Sequence, residues 1–190
     1  MSIWTNWDPL TEVIVGNCYT GHHTNKLAQI FEETKEDLDN LAGYLEGLGV
    51  RVHRPHVTNF AEHIDLGNFT VNHATAPIVP RDQYLVYGST VYQTYTSMPD
   101  RYLDSVNYNH IFKELFDNGH NWISQPPPVL DTLVGKWWAE GDKIYGEQLK
   151  DQVLWHTATM FKCGDKLLTN TNGPGTQAGL EWMKRNLPEN

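Results

Sequence analysis

The chain has little cysteine, little positive charge and no long apolar run. Its only cysteines, Cys18 and Cys163, are too few for a disulfide framework and lack the paired spacing of a zinc site, so we expect both to be reduced. The chain has 14 basic residues and 23 acidic ones, and it has no Lys/Arg cluster that could bind nucleic-acid phosphates. No stretch approaches the ~20 apolar residues of a membrane span, and the first residues lack the features of a signal peptide. We therefore expect a cytoplasmic protein with neither nucleic acid nor a membrane as partner.

The composition is that of a folded protein. Hydrophobic residues make up 39% and aromatic residues 12%, which is costly to leave in water. A length of 190 residues fits one domain, so residues 1–190 are predicted to form a single domain. The pair His22-His23 raises the question of a metal, but neighbours on an extended chain point opposite ways and no H-x-x-x-H pair occurs. We predict no metal site and no cofactor.

Three segments repeat one order of elements, in which a β-rich run and a turn precede an amphipathic helix. The first predicts a strand over residues 12–16, a helix whose apolar face is Leu38, Leu41, Ala42, Leu45 and Leu48, and a strand over residues 50–52. The second predicts a hairpin of residues 84–87 and 91–95 across 88–90, a helix around residues 108–116 and a strand at 122–123. The third predicts a hairpin of residues 156–161 and 166–169 with Cys163 in the turn, and a last helix capped by Thr176. Residues 53–80 are predicted to be loop, and residues 129–152 fit no pattern.

The third segment has no closing strand of the kind that ends the first two. A sheet edge with unpaired N–H and C=O groups is usually covered or paired. We infer self-association or a partner protein at that edge.

Several stretches resemble the amidinotransferase branch of the pentein superfamily, glycine amidinotransferase and its relatives. They are residues 6–16, the run 49–55, Pro80-Arg81-Asp82, the region 100–122 and Gly179-Leu180-Glu181-Trp182-Met183-Lys184-Arg185, in the family's order. The resemblance implies an α+β fold, a partial α/β-propeller (pentein) with about three of five ββαβ units, the last lacking its closing strand.

The resemblance also implies a chemistry. In the family a cysteine thiolate attacks the guanidino carbon of arginine, a histidine with a carboxylate moves protons, and further carboxylates hold the guanidinium. Asp82 matches the family's guanidinium-contacting aspartate, so it is the predicted substrate-binding residue for arginine or another guanidino compound. The family's F-D-A-A-D-F strand aligns with residues 156–161, which puts Thr157 and Met160 in place of its carboxylates. The family's histidine and cysteine elements lie in later units, beyond residue 190, so no catalytic residue is predicted.

Each of these residues also has a plainer interpretation. Asp82 could be an ordinary turn or cap residue. Arg101 is assigned no role beyond packing or an ion pair. Cys18 and Cys163 are poor substitute nucleophiles, since Cys163 lies beside Asp165 and an acid raises a thiol pKa. The aromatic residues Tyr84, Tyr87, Tyr92, Tyr95 and Trp137-Trp138 fit stacking on a ligand, but in a hairpin they are more often cross-strand core pairs.

Three functions follow from these observations. The first is an amidinotransferase-like protein that is non-catalytic alone and acts as a binding or interaction module. The second is a subunit of a split arginine amidinotransferase, completed by a partner chain and passing an amidino group to an amine such as glycine. The third is a decoy subunit that regulates a full-length amidinotransferase.

Overall fold

The computed structural model describes residues 2–19, 25–58, 64–71, 74–130, 149–169 and 175–188. The elements in chain order are β1 (Glu12–Ile14), α1 (Asn25–Gly47), β2 (Arg51–His53), β3 (Ile64–Asp65), β4 (Thr70–Val71), β5 (Tyr84–Tyr87), β6 (Thr90–Gln93), α2 (Asp104–Asp117), β7 (Asn121–Ser124), β8 (Met160–Cys163), β9 (Lys166–Thr169) and α3 (Gln177–Asn186). None of the helices in these ranges is long and apolar enough to cross a membrane. The predicted His22-His23 and Trp137-Trp138 features lie outside the described residues.

The first unit joins the parallel strands β1 and β2 through α1. Val13 is opposite Val52 in the register, and the backbone N–H of Val15 extends the ladder to the carbonyl of His53. The helix α1 ends at Gly47, and the turn after it contains Gly49, whose φ of 82° is the left-handed conformation that a glycine adopts without strain. Ala42 is buried as predicted, but Leu41 and Leu48 are exposed, which corrects the predicted width of the helix's apolar face.

The second unit is a three-stranded sheet with α2 packed on one face. β5 pairs antiparallel with β6, and β6 pairs parallel with β7 through the crossover of α2. Tyr84 and Val91 face the helix, where they share a buried cluster with Tyr108, Ile111 and Phe112. Because side chains alternate along a strand, Leu85 and Tyr92 face the other way.

The third unit repeats the hairpin of the second. In both hairpins two four-residue strands are joined by a two-residue turn whose first residue is a glycine, Gly88 or Gly164, with φ of 57° or 69°. Met160 and Leu167 then face α3 as Tyr84 and Val91 face α2. Within the described residues β9 pairs with β8 alone, whereas β6 lies between two strands.

Four predicted assignments are corrected by the structure. The second hairpin's turn is Gly88–Ser89, so Thr90 belongs to β6. Residues Thr157–Thr159 form a 3-10 turn instead of a strand, and Cys163 ends β8 instead of lying in the turn. The region predicted to be loop contains the short hairpin of β3 and β4.

The N-terminal segment crosses both hairpin turns. Ile3 forms an antiparallel bridge with Gly88, and Thr5 forms one with Cys163. The backbone N–H of Gly164 donates to the Trp4 carbonyl at 2.9 Å, and the Trp4 ring packs edge-on against Tyr87 with centroids 5.0 Å apart. Residues 3–6, called the N-terminal clip below, therefore connect the second unit to the third.

Candidate functional site

Asp82 lies at the end of a 3-10 turn formed by Pro80–Asp82, separated from β5 by Gln83 alone. Pro80 fixes the start of this turn because its φ is already close to the helical value. The Asp82 side chain is 28% exposed, and its Oδ2 accepts a hydrogen bond from Arg101 Nη1 at 2.6 Å. The residue predicted to hold a substrate guanidinium is thus paired with a guanidinium of its own chain.

Arg101 is held between two carboxylates. Its Nε donates to Asp104 Oδ2 at 3.0 Å, and its Nη2 donates to the Val79 carbonyl at 3.3 Å. Asp104 is only 2% exposed, and burial raises its pKa to about 6, while the neighbouring Arg101 acts to lower it. The pair is therefore ionic at neutral pH, with Gln83 Nε2 donating a further bond to Asp104 at 3.2 Å.

The ion pair expected for Arg101 is confirmed, but its partners Asp82 and Asp104 were not predicted from the sequence. Arg101 and Asp104 are three residues apart, a spacing at which opposite charges meet on a helical turn, so half of the cluster could have been found. The contact with Asp82 crosses between two separate turns, and no local pattern signals it.

The stretch aligned with the family's carboxylate strand carries no acidic side chain, and its residues His156, Thr157 and Met160 are buried. Thr157 Oγ1 donates to the Arg81 carbonyl at 2.6 Å, and Met160 is 4% exposed in the cluster that includes Met183. His156 is 7% exposed, and its Nε2 has no hydrogen-bond partner among the described residues. Burial lowers the pKa of His156 to about 4, although the Asp82 carboxylate acts in the opposite direction. His156 is therefore a neutral imidazole at pH 7.

A cavity of about 340 Å³ lies beside β1, β5 and β8. Its basic groups are bonded to backbone, since Arg81 Nη2 donates to the Met160 carbonyl at 3.1 Å and Lys162 Nζ to the Val86 carbonyl at 3.2 Å. Burial also lowers the pKa of Lys162. The cavity borders Thr157 and Met160 but not Asp82, so the predicted substrate residue and the cavity are separate features.

A second charged cluster, which the sequence interpretation did not single out, lies at the β1–β2 pair. His53 Nε2 is 2.5 Å from Glu12 Oε1, and Arg51 pairs with both Glu12 and Glu114. These contacts connect the first unit to α2. Their position between two packed elements is that of a structural ion-pair network.

The Cys18 thiol does not stand in an activating environment. Cys18 is 2% exposed, and burial raises the pKa of its thiol. Cys163 is half-buried at the end of β8, and both thiols are free. The predicted core role of the hairpin tyrosines is confirmed, because Tyr84, Tyr87 and Tyr92 are buried. Tyr92 lies opposite the buried Leu85 as a cross-strand core pair, whereas Tyr84 and Tyr87 lie opposite the polar residues Gln93 and Thr90.

Comparison with known proteins finds amidinotransferases. The chain is 27% identical over 213 residues to the putative inosamine-phosphate amidinotransferase 2 of Streptomyces griseus, covering 98% of this chain and 60% of that protein. It is 24% identical over 212 residues to the L-arginine:L-lysine amidinotransferase of Pseudomonas savastanoi pv. phaseolicola, covering 97% of this chain and 58% of that protein. No protein-family model matches.

The fold agrees with these relatives. The solved structure of an inosamine-phosphate amidinotransferase from Streptomyces griseus matches with a TM-score of 0.81 at 26% identity, over 99% of this chain and 60% of that one. The homologues of this chain are amidinotransferases, and the chain has the mixed α and β pentein fold. It spans about 60% of the length of the curated relatives it matches first.

Proposed function

We propose that this chain is an amidinotransferase-related interaction module that does not transfer amidino groups by itself. The observation that carries the proposal is the Asp82–Arg101 pair. A free arginine at Asp82 would have to compete with a guanidinium that is covalently part of the chain and also anchored by Asp104. The internal arginine therefore occupies the contact that the resemblance assigns to substrate.

The residues aligned with the family's carboxylates support the same proposal. Thr157 and Met160 carry no charge to hold a guanidinium, and the hydroxyl of Thr157 is already bonded to backbone. Amidino transfer also needs a thiolate, whereas burial raises the pKa of the Cys18 thiol and so favours its protonated form. The described residues thus have the family's fold but not a set of polar side chains that could carry out the family's reaction.

The proposal includes the architecture. Residues 1–190 form one cytoplasmic domain that is about three of the five units of a pentein propeller. What it offers to a partner is the surface of its third unit, where β9 has a strand on one side only within the described residues.

An ornithine-release assay with arginine and glycine, together with calorimetric titration of arginine, ornithine and glycine, tests this function. We expect no ornithine above the buffer blank and no heat of binding for any of the three compounds. Asp82→Ala is the informative variant, and Asp100→Ala is its matched control, because Asp100 lies in the next 3-10 turn and is exposed. Arginine binding that Asp82→Ala abolishes and Asp100→Ala retains would overturn the proposal.

A split enzyme is the second candidate, and the exposure of Asp82 favours it. With 28% of its side chain exposed, Asp82 could receive a second guanidinium beside Arg101 once another polypeptide adds its own groups. The test mixes this chain with a polypeptide that corresponds to the uncovered part of a relative and measures ornithine. Turnover in the mixture alone would favour the split enzyme, and none in any mixture leaves the interaction module.

A further inference from the structure

Neighbouring units of this fold contact each other in one recurring way. Ile14 of β1, in the first unit, packs on the cluster of α2 in the second unit. Leu85 and Tyr92, on the face of the second hairpin that points away from α2, pack with Met183 of α3 in the third unit. The Tyr92 hydroxyl also donates to the Asn186 carbonyl at 2.8 Å. In both cases a strand face of one unit is covered by the helix of the next. The face is apolar in the second case, whereas in the first Ile14 packs beside the ion pairs of Arg51 and His53 with Glu114 of α2.

The third hairpin has the same apolar face, and it is open among the described residues. By register, Phe161 takes the place of Leu85 and Leu168 the place of Tyr92, and the two lie opposite each other. Phe161 is 43% exposed and Leu168 is 57% exposed. Trp7, which is 64% exposed, extends the surface, with its ring centroid 6.0 Å from that of Phe161. These three residues are called the hairpin face below.

The first helix has the complementary feature. Leu41, Tyr44 and Leu48 are spaced as neighbours on one side of α1 and of the turn after it. Their exposures are 47%, 68% and 65%, so they form an apolar strip on the surface, called the α1 strip below. α2 and α3 each receive the strand face of the preceding unit, whereas no strand face covers the α1 strip within the described ranges.

We propose that the hairpin face of one copy docks on the α1 strip of a second copy, so that the chain associates head to tail. The contact would repeat between chains the strand-face-on-helix packing that the fold already uses twice within the chain. Charge agrees with this pairing, because Lys166 lies on the side of β9 that carries Leu168, and Asp37 lies one turn before Leu41 on α1. The inference names the partner of the interaction module proposed above and rests on that proposal.

Two different surfaces meet in such a contact, which gives a sharp test. Because the contact joins two different surfaces, each unaltered chain can bind two neighbours and the assembly can grow beyond a dimer. A variant that retains only one of the two surfaces can bind one neighbour at most. We use sedimentation velocity of the full 190-residue chain over a range of concentrations. The variants are Phe161→Glu, which disrupts the hairpin face, and Tyr44→Glu, which disrupts the α1 strip. Phe116→Glu is the matched control, because Phe116 is 59% exposed on α2, outside both surfaces.

We expect the unaltered chain and Phe116→Glu to form species larger than a dimer as concentration rises. Phe161→Glu and Tyr44→Glu should each weaken association at least about tenfold, because a carboxylate would be buried against apolar side chains. Their equimolar mixture should form dimers and nothing larger. Leu168→Lys repeats the hairpin test, and circular dichroism checks that every variant is folded.

Any of three results would overturn the inference. The unaltered chain could stay monomeric at every concentration, either variant could assemble as the unaltered chain does, or the equimolar mixture could stay monomeric. These outcomes do not depend on the proposed lack of catalysis. Ornithine release would refute the non-catalytic role without changing the sedimentation result, and a monomer would refute head-to-tail association without producing ornithine.

Discussion

Replacing His156 by Gln should make the protein resistant to mild acid. His156 is 7% exposed, with Nε2 unpartnered among the described residues, and its pKa is lowered from 6.5 to about 4, mainly by burial. The folded state therefore favours the neutral imidazole. The stability that the protein has with His156 neutral is fully present above the unfolded pKa and is lost as pH falls toward and through the folded pKa. The pH window of the effect runs from about 6.5 down to about 4.

The magnitude follows from the two pKa values. Proton linkage with these values gives a loss of about 1.4 kcal/mol at about pH 5.5 and about 2.6 kcal/mol at about pH 4.5, relative to pH values well above the unfolded pKa. Asp104 changes stability in the opposite direction. Burial raises its pKa from 3.8 to about 6, so the folded state binds a proton more readily than the unfolded state and gains stability as pH falls. The pH profile of the unaltered chain is therefore flatter than the profile of either group alone.

Urea unfolding at about pH 7, 5.5 and 4.5 measures this effect as the change in stability of His156→Gln relative to the unaltered chain. We expect that difference to move in favour of His156→Gln by about 2 to 3 kcal/mol between about pH 7 and 4.5. His120→Gln is the control, since His120 lies in the turn after α2, away from Asp82 and Asp104. Parallel pH profiles for His156→Gln and the unaltered chain would refute the reasoning, because they would show that burial does not keep the imidazole neutral.

Two further predictions concern α3. Gly179→Ala should lower the free energy of unfolding, measured in urea, by about 1 to 3 kcal/mol or more, because the added Cβ would lie 2.0 Å from the Leu154 carbonyl oxygen. Unchanged stability would show that the backbone shifts to accommodate the methyl group. Thr176→Ala should cost about 1 to 2 kcal/mol in thermal unfolding, because Thr176 Oγ1 accepts the Gly179 N–H at 3.0 Å and donates to the Gln152 carbonyl at 2.5 Å. Thr176→Ser keeps the hydroxyl and should stay near the unaltered value, and equal losses in Ser and Ala would point to the methyl group instead.

The parts of the fold that the sequence predicts are those set by local pattern. Gly88 and Gly164 mark the two hairpin turns because a left-handed φ is needed there, and Thr176 marks a helix start because its hydroxyl caps the N–H of Gly179. Leu41 and Leu48 show the limit of such patterns. They have the helical spacing of core residues, yet whether an apolar side chain is covered depends on which surface meets it, and spacing carries no such information.

The site was harder to predict than the fold. Asp82 was found through a family resemblance, and its assignment as a guanidinium-binding residue stays a prediction. The resemblance did not reveal that Arg101 is bonded to it, because that contact joins two turns whose relative position depends on the packed sheet between them. His156 gave no signal at all, since a lowered pKa arises from burial, which only the folded chain creates.

The N-terminal clip has a consequence for the order in which the chain folds. Its bridges join Ile3 to Gly88 and Thr5 to Cys163, and the second closes one of the longest loops among the contacts described here. Closing such loops costs entropy that is recovered only when both hairpin turns already exist, which makes the clip a late event in folding. Because the clip bonds to both hairpin turns, it couples them: loss of residues 3–6 would remove backbone hydrogen bonds from both turns at once.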